Sequence, residues 1–197
     1  MASNLVRRLV GASLGLVVVM SAARPAGAQE AASITVVPSV GLSDGQTVTV
    51  EGTGFAPNTS TFGSLTVGLC PADVLTDVAL APYRCGAALA FPVAVDDSGA
   101  FVAQLQVFRS QPTFLGEGTL TCADAPSDCV VLALEVTGSL PDVELIAATA
   151  PITFRPETKA DCRRGGWRNF TDDLGRPFPD QGACVRFVVT DGAPGDR

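Results

Sequence analysis

The chain has 197 residues, 47% hydrophobic and 17% charged, with mean hydropathy +0.33, which excludes a disordered or collagen-like polymer. Thirteen cations face twenty acids for a net charge of −7, a balance that argues against direct nucleic-acid binding. There is no histidine, which removes Ser-His-Asp and Cys-His nucleophile systems and every His-containing metal site.

The chain opens on an export address. Arg7 and Arg8 precede the apolar run Leu9 to Ala23, and Ala26-Gly27-Ala28 forms a small-residue cleavage pattern. These features predict a signal peptide over residues 1–28 and a secreted mature chain beginning at Gln29. The apolar run is about 15 residues, short of the roughly 18–20 a membrane span needs.

From Ser33 onward, turn signals separate segments rich in Val, Thr, Ile and Phe, the pattern of an all-β sandwich or barrel. Ser33–Val37 reads as a first strand stopped by Pro38. Gln46–Glu51 alternates polar and apolar residues, so one face is buried and the other wet. Leu65–Cys70 is a third strand. Ala90–Val95 and Ala100–Phe108 flank Asp96-Asp97-Ser98-Gly99, which reads as a hairpin turn. Cys129–Val136 and Glu144–Phe154 complete seven strands. Asp96-Asp97 and Asp172-Asp173 are adjacent pairs in turns or polar loops, where aspartates form turns rather than catalytic dyads.

Six cysteines in an exported chain imply three disulfides, and proximity groups them as Cys70/Cys85, Cys122/Cys129 and Cys162/Cys184. A zinc site has neither CxxC spacing nor histidine to build on. The charges divide the chain. Between Gln29 and Phe154, thirteen acids face Arg84 and Arg109 alone, a net of −11; from Arg155 to Arg197, eight cations face seven acids, a net of +1. That break places a boundary near Thr153–Glu157 and predicts a sandwich over 29–155, a small module over 156–190 and a flexible tail over 191–197.

Gly41-Leu42-Ser43-Asp44-Gly45-Gln46-Thr47-Val48-Thr49-Val50, Gly52-Thr53-Gly54-Phe55-Ala56-Pro57, Val67-Gly68-Leu69-Cys70 and Gly118-Thr119-Leu120-Thr121-Cys122 resemble the neocarzinostatin (enediyne apoprotein) family, as do Asp97-Ser98-Gly99 and Leu105-Gln106-Val107. The likeness runs over about residues 32–154. It implies a seven-stranded immunoglobulin-like sandwich with bridges Cys70–Cys85 and Cys122–Cys129. It also implies an apolar cleft at one end, holding a reactive enediyne chromophore that cleaves DNA once released.

The positions that line the family's cleft are altered. Ala72 stands where the family has an aromatic, and the loop from Cys70 to Cys85 is longer by about five residues than the family's. Ala90 or Phe91 takes a second aromatic position, and Phe114 is nearest to a third. Val130, Leu132 and Leu134 replace small and amide residues. The predicted ligand-binding set is Tyr83, Phe91, Phe114, Val130, Leu132 and Leu134, narrowed against known enediyne chromophores.

The C-terminal stretch, with Cys162-Arg163-Arg164-Gly165-Gly166-Trp167 and Gln181-Gly182-Ala183-Cys184-Val185, resembles a short cysteine-pair module at the C-termini of exported actinobacterial proteins. Trp167, Phe170 and Phe187 beside Arg163, Arg164, Arg168 and Arg186 offer stacking and charge to a polymer or envelope component; alternatively, the rings form the miniature core that about 40 residues need. The expected protein is a secreted, monomeric, non-enzymatic carrier of a small apolar or aromatic molecule, with no metal and no nucleic-acid contact of its own. The rival expectation is an interaction module of the cell envelope with the same fold and no chromophore.

Overall fold

A computed structural model of the chain describes residues 31–57, 65–122, 128–139 and 142–190. The expected signal peptide and the tail over 191–197 lie outside these residues. Seven strands build two antiparallel sheets. Strands β1 (Ser33–Val37), β2 (Gln46–Thr53) and β5 (Phe101–Val107) form one, in the order β1-β2-β5. Strands β3 (Leu65–Pro71), β4 (Leu89–Val93), β8 (Cys129–Ser139) and β9 (Asp142–Pro151) form the other, in the order β4-β3-β8-β9. A two-stranded ribbon, β6 (Ser110–Pro112) with β7 (Thr119–Thr121), stands apart from both. The architecture is the expected all-β sandwich, with the ribbon as an addition.

The core follows the two-residue period of a strand. Val48 pairs with Leu105 and Val50 with Ala103 across β2 and β5, and all four side chains are buried. The opposing sheet contributes Leu65, Val67, Leu69, Val131 and Ala133. Phe55 and Phe101 meet edge to face, with centroids 5.2 Å apart. One charged side chain enters this layer: Glu135, opposite Leu65, is 1% exposed and its Oε2 accepts the Ala56 N–H at 2.9 Å.

The Asp96–Gly99 turn is tight. Asp96 Oδ1 accepts the N–H groups of Ser98 and Ala100 and the Ser98 hydroxyl. It does not close a hairpin, which corrects the reading of the sequence: β4 and β5 belong to opposite sheets, so the turn carries the chain across the sandwich. Turn chemistry alone does not distinguish these two uses of a tight reversal.

Beyond Phe154 the chain folds onto the sandwich. Leu42 and Phe154 form a parallel bridge, and the Thr171 N–H donates to Phe154 O at 3.0 Å. Successive turns, including a 3-10 turn over Gly166–Asn169, lead to helix α2 (Gln181–Thr190). Asp180 caps α2 by accepting the Ala183 N–H at 2.7 Å. Bridge Cys162–Cys184 ties the turns to the helix, as Cys70–Cys85 and Cys122–Cys129 tie loops of the sandwich. Phe170, Phe178 and Val188 are buried in one cluster with the sandwich core, and Phe187 packs on Phe178 at 5.3 Å.

Two features hold this junction. Gly41 has φ +61°, and a Cβ there would stand 2.6 Å from the Asp173 Cα, so only glycine lets the two backbones approach. Arg109 is the centre of the polar contact. Its backbone N–H donates to Asp44 Oδ1, and its guanidinium pairs with Asp161 at 3.2 Å and Glu157 at 3.7 Å. The same guanidinium lies 5.5 Å from the centroid of the Phe170 ring. Burial opposes ionisation of Asp161. The Thr158 and Glu157 N–H groups and the Arg109 charge outweigh it and hold the carboxyl below its ordinary 3.8.

The chain cut after Arg155 should still unfold cooperatively, at a lower Tm than the full chain. Arg109→Ala should cost the full chain about 1–3 kcal/mol and the shortened chain much less, since its partners are then gone. Urea titration of the four proteins checks this. Because Asp161 is depressed in the folded chain, its stabilisation is present above the unfolded value of about 3.9 and is lost as pH falls through the folded value. The stability gap between full and shortened chains should therefore shrink below about pH 3.9. A gap that widens there would contradict this.

Candidate functional site

The four-stranded sheet has a second face. On β3, Leu65, Val67 and Leu69 point into the sandwich, which leaves Thr66, Gly68 and Cys70 on the outer side. On β8, Val131, Ala133 and Glu135 point inward and Val130, Leu132, Leu134 and Val136 outward. The register aligns these outer residues in rows, Thr66 with Leu134, Gly68 with Leu132 and Cys70 with Val130. Leu89 of β4 sits beside Gly68. Apart from Thr66, these outer residues of β3 and β8 are apolar, where a sandwich sheet facing water would alternate.

Loops enclose the middle of this face as a cleft of about 410 Å³. Its floor is Thr66, Gly68, Leu132, Leu134 and Val136 of the sheet; Leu89 and Phe91 of β4 and Ala81, Pro82, Cys85, Ala87 and Phe114 of the connecting segments complete its lining. Gly68 keeps the floor low, since a Cβ there would stand 2.5 Å from Leu89 Cδ2. Among the described residues no charged side chain lines the cleft, and Thr66 carries the one side-chain hydroxyl.

The long loop after β3 coils into short 3-10 turns, Val74–Thr76 and Val78–Leu80, and one helical turn, α1 (Ala81–Arg84). Bridge Cys70–Cys85 pins both ends of this loop to the sheet and forms part of the cleft wall. The Phe114 and Leu115 N–H groups donate to Cys85 O at 2.9 Å and Pro82 O at 2.8 Å. Phe114 is thereby held by the bridged loop rather than by its own ribbon.

Four of the six predicted residues come together here: Phe91, Phe114, Leu132 and Leu134. Phe91, rather than Ala90, is the ring on the cleft, because Ala90 pairs with the inward Val67. Tyr83 is 56% exposed on α1 and does not line the cleft. Val130 is on the correct face but buried in a cluster with Cys70, Val74, Ala81, Cys85 and Leu132. The inserted loop lowers Val74 onto it and so fills that end of the face. The sequence reading missed Thr66, Gly68, Ala81, Pro82, Ala87, Leu89, Val136 and the disulfide as lining groups. The two-sided apolar run Val130–Val136 was the available signal, since such a strand must be covered on both faces.

The family model described as the neocarzinostatin family matches residues 34–154, so the chain belongs to the neocarzinostatin family. Macromomycin of Streptomyces macromomyceticus is 34% identical over 117 residues, which cover 57% of this chain and 75% of macromomycin. A solved structure of macromomycin aligns with TM-score 0.41 and 29% identity, over 63% of this chain and 99% of that one. All cleft residues fall within the matched range; the segment carrying Cys162 and Cys184 lies beyond it.

Replacing Cys70 and Cys85 together by alanine should release the 72–84 loop and, through Cys85 O, Phe114. The expected result is loss of amide protection at Phe114 and Leu115 and about 2–4 kcal/mol of stability. Protection unchanged at both amides would show that the ribbon holds Phe114 unaided.

Proposed function

We propose that the protein is an exported, non-enzymatic carrier that shields a small apolar or aromatic molecule in the cleft on the outer face of its four-stranded sheet. The observation that carries this reading is a pair of exposed aromatics. Phe91 is 61% and Phe114 50% exposed, and both line the same apolar cleft. Large rings left in water above an apolar depression mark a surface that gains by being covered. The volume falls within the range of small-molecule sites, about 300–1,000 Å³. Membership of the neocarzinostatin family supports the same reading and makes an enediyne-like chromophore one candidate guest.

The cleft works by exclusion. A planar guest lies on Leu132, Leu134 and Leu89, flanked by the two rings, with the Thr66 hydroxyl free to orient one polar atom of it. In this reading the chain supplies no catalytic step: the sequence has no histidine to act as base, and among the described residues no charged group lines the cleft. Any damage to DNA would come from a released guest, and the protein itself acts as a monomer without touching nucleic acid. Val74 covers Val130, and Leu132 and Leu134 stand where the family resemblance places small and amide residues, so known enediyne chromophores should bind weakly or not at all.

Covering one ring contributes on the order of 2 kcal/mol, so Phe91→Ala or Phe114→Ala should weaken a guest about 10–50-fold. Gly68→Leu should fill the floor and abolish binding, while Tyr83→Ala should leave it unchanged. Fluorescence titration of the four variants against a library of fused aromatic ligands measures this. Equal affinities throughout would move the site elsewhere, and no binding by the wild type would favour the envelope interaction module.

A further inference from the structure

The acids and cations of the C-terminal segment are used differently. Glu157 and Asp161 turn toward the sandwich and pair with Arg109. Asp173 pairs with Arg155, Asp172 pairs with Arg176, and Asp180 caps α2. Every described carboxylate of the segment is therefore engaged. Lys159, Arg163, Arg164, Arg168 and Arg186 are all exposed, and none makes a salt bridge among the described residues.

These five cations are grouped by the fold. Four lie within ten residues of linked turns, with Asp161, Arg163, Gly166 and Arg168 donating backbone N–H groups to Thr158, Ala160, Arg163 and Gly165. Bridge Cys162–Cys184 brings Arg163 beside the turn of α2 that carries Arg186. The side toward the sandwich is occupied by Glu157, Asp161, Phe170 and Thr171, which leaves the cations on the outside. The sandwich is the opposite pole. Glu51, Asp77, Asp97, Glu117, Asp128 and Glu144 are exposed and without salt bridges among the described residues.

We infer that this cationic face docks the protein on a flexible phosphodiester polymer of the cell surface, whatever the cleft carries. Five exposed cations without a salt bridge among the described residues, one of them stacked on Trp167, fit a chain of phosphates, and arginine's planar fork suits phosphate oxygens. A DNA duplex fits less well. It is straight over about 50 nm, and lying on the face it would run past the acidic sandwich, which repels it. Single-stranded nucleic acid needs bare rings for its bases. Here Phe170 is buried, Phe187 packs on Phe178, and the Arg168 guanidinium covers Trp167 at 4.3 Å. A thin polymer without bases can follow the cations alone. The signal peptide expected over residues 1–28 would carry the chain out to the cell surface.

The test is isothermal titration of the full chain with poly(glycerol phosphate), with duplex DNA of equal phosphate count and polyglutamate as controls. Binding to poly(glycerol phosphate) should be the tightest of the three. It should fall about 100-fold between 50 and 200 mM salt if all five cations engage, at about 0.7 counterions released per contact. Arg163→Gln with Arg164→Gln should weaken it about 10-fold or more at 50 mM salt, and the paired lysine replacements should largely restore it. Arg84→Gln, on the sandwich, should have no effect. Failure of the wild type to bind, unchanged binding by the glutamine pair with its Tm intact, or preference for duplex DNA or polyglutamate would each overturn the inference. None of these results bears on the cleft, which apolar ligands report separately.

Discussion

The four-stranded sheet must bury apolar side chains on both faces. Its inner face is satisfied by the three-stranded sheet, through Leu65, Val67, Leu69, Val131 and Ala133. Its outer face has only loops to cover it. Val74 and Ala81 of the bridged loop close one end over Val130, and the middle, from Thr66 to Val136, is left as the cleft. The remaining parts serve this incomplete second layer. The Cys70–Cys85 bridge fixes the covering loop, and that loop's carbonyls place Phe114. A complete cover would leave an inert sandwich; no cover would leave a water-exposed apolar sheet.

The seven strands of the sandwich were legible because each combines β-branched residues with a turn signal at its end. The ribbon was not, since its strands are three residues long and one contains Pro112. Helix α2 also escaped. Val185, Val188, Val189 and Thr190 favour strands by propensity, and what makes the segment helical is the Asp180 cap and its packing beside Cys184. Within the cleft, the resemblance to the neocarzinostatin family located Leu132 and Leu134, at alternate positions of one strand. Val130 has the same parity and yet is covered, because what covers it is a loop whose path no periodicity encodes. Tyr83 failed for a related reason: an aromatic near a cleft in sequence turned outward on a helical turn.

Charge organises the rest of the chain. Around the composition break near Thr153–Glu157, the segment that follows shares one core with the sandwich and meets it through polar contacts that include those of Arg109. The segment after Phe154 spends its acids on that contact, on local pairs and on the α2 cap, so its surplus cations face outward. The sandwich keeps its surplus acids. A net charge of −7 therefore conceals two poles of opposite sign. The family match ends at Phe154, and the positive pole lies wholly beyond it.

Amide and methyl chemical shifts, followed while an uncharged fused aromatic probe is added to the full chain, test the central claim most directly. Saturable shifts are expected at Gly68, Leu89, Phe91, Phe114, Leu132 and Leu134, with the inner-face residues Val67 and Val131 moving little. Shifts centred on the outer face of the β1-β2-β5 sheet, or spread evenly over the surface, would contradict it.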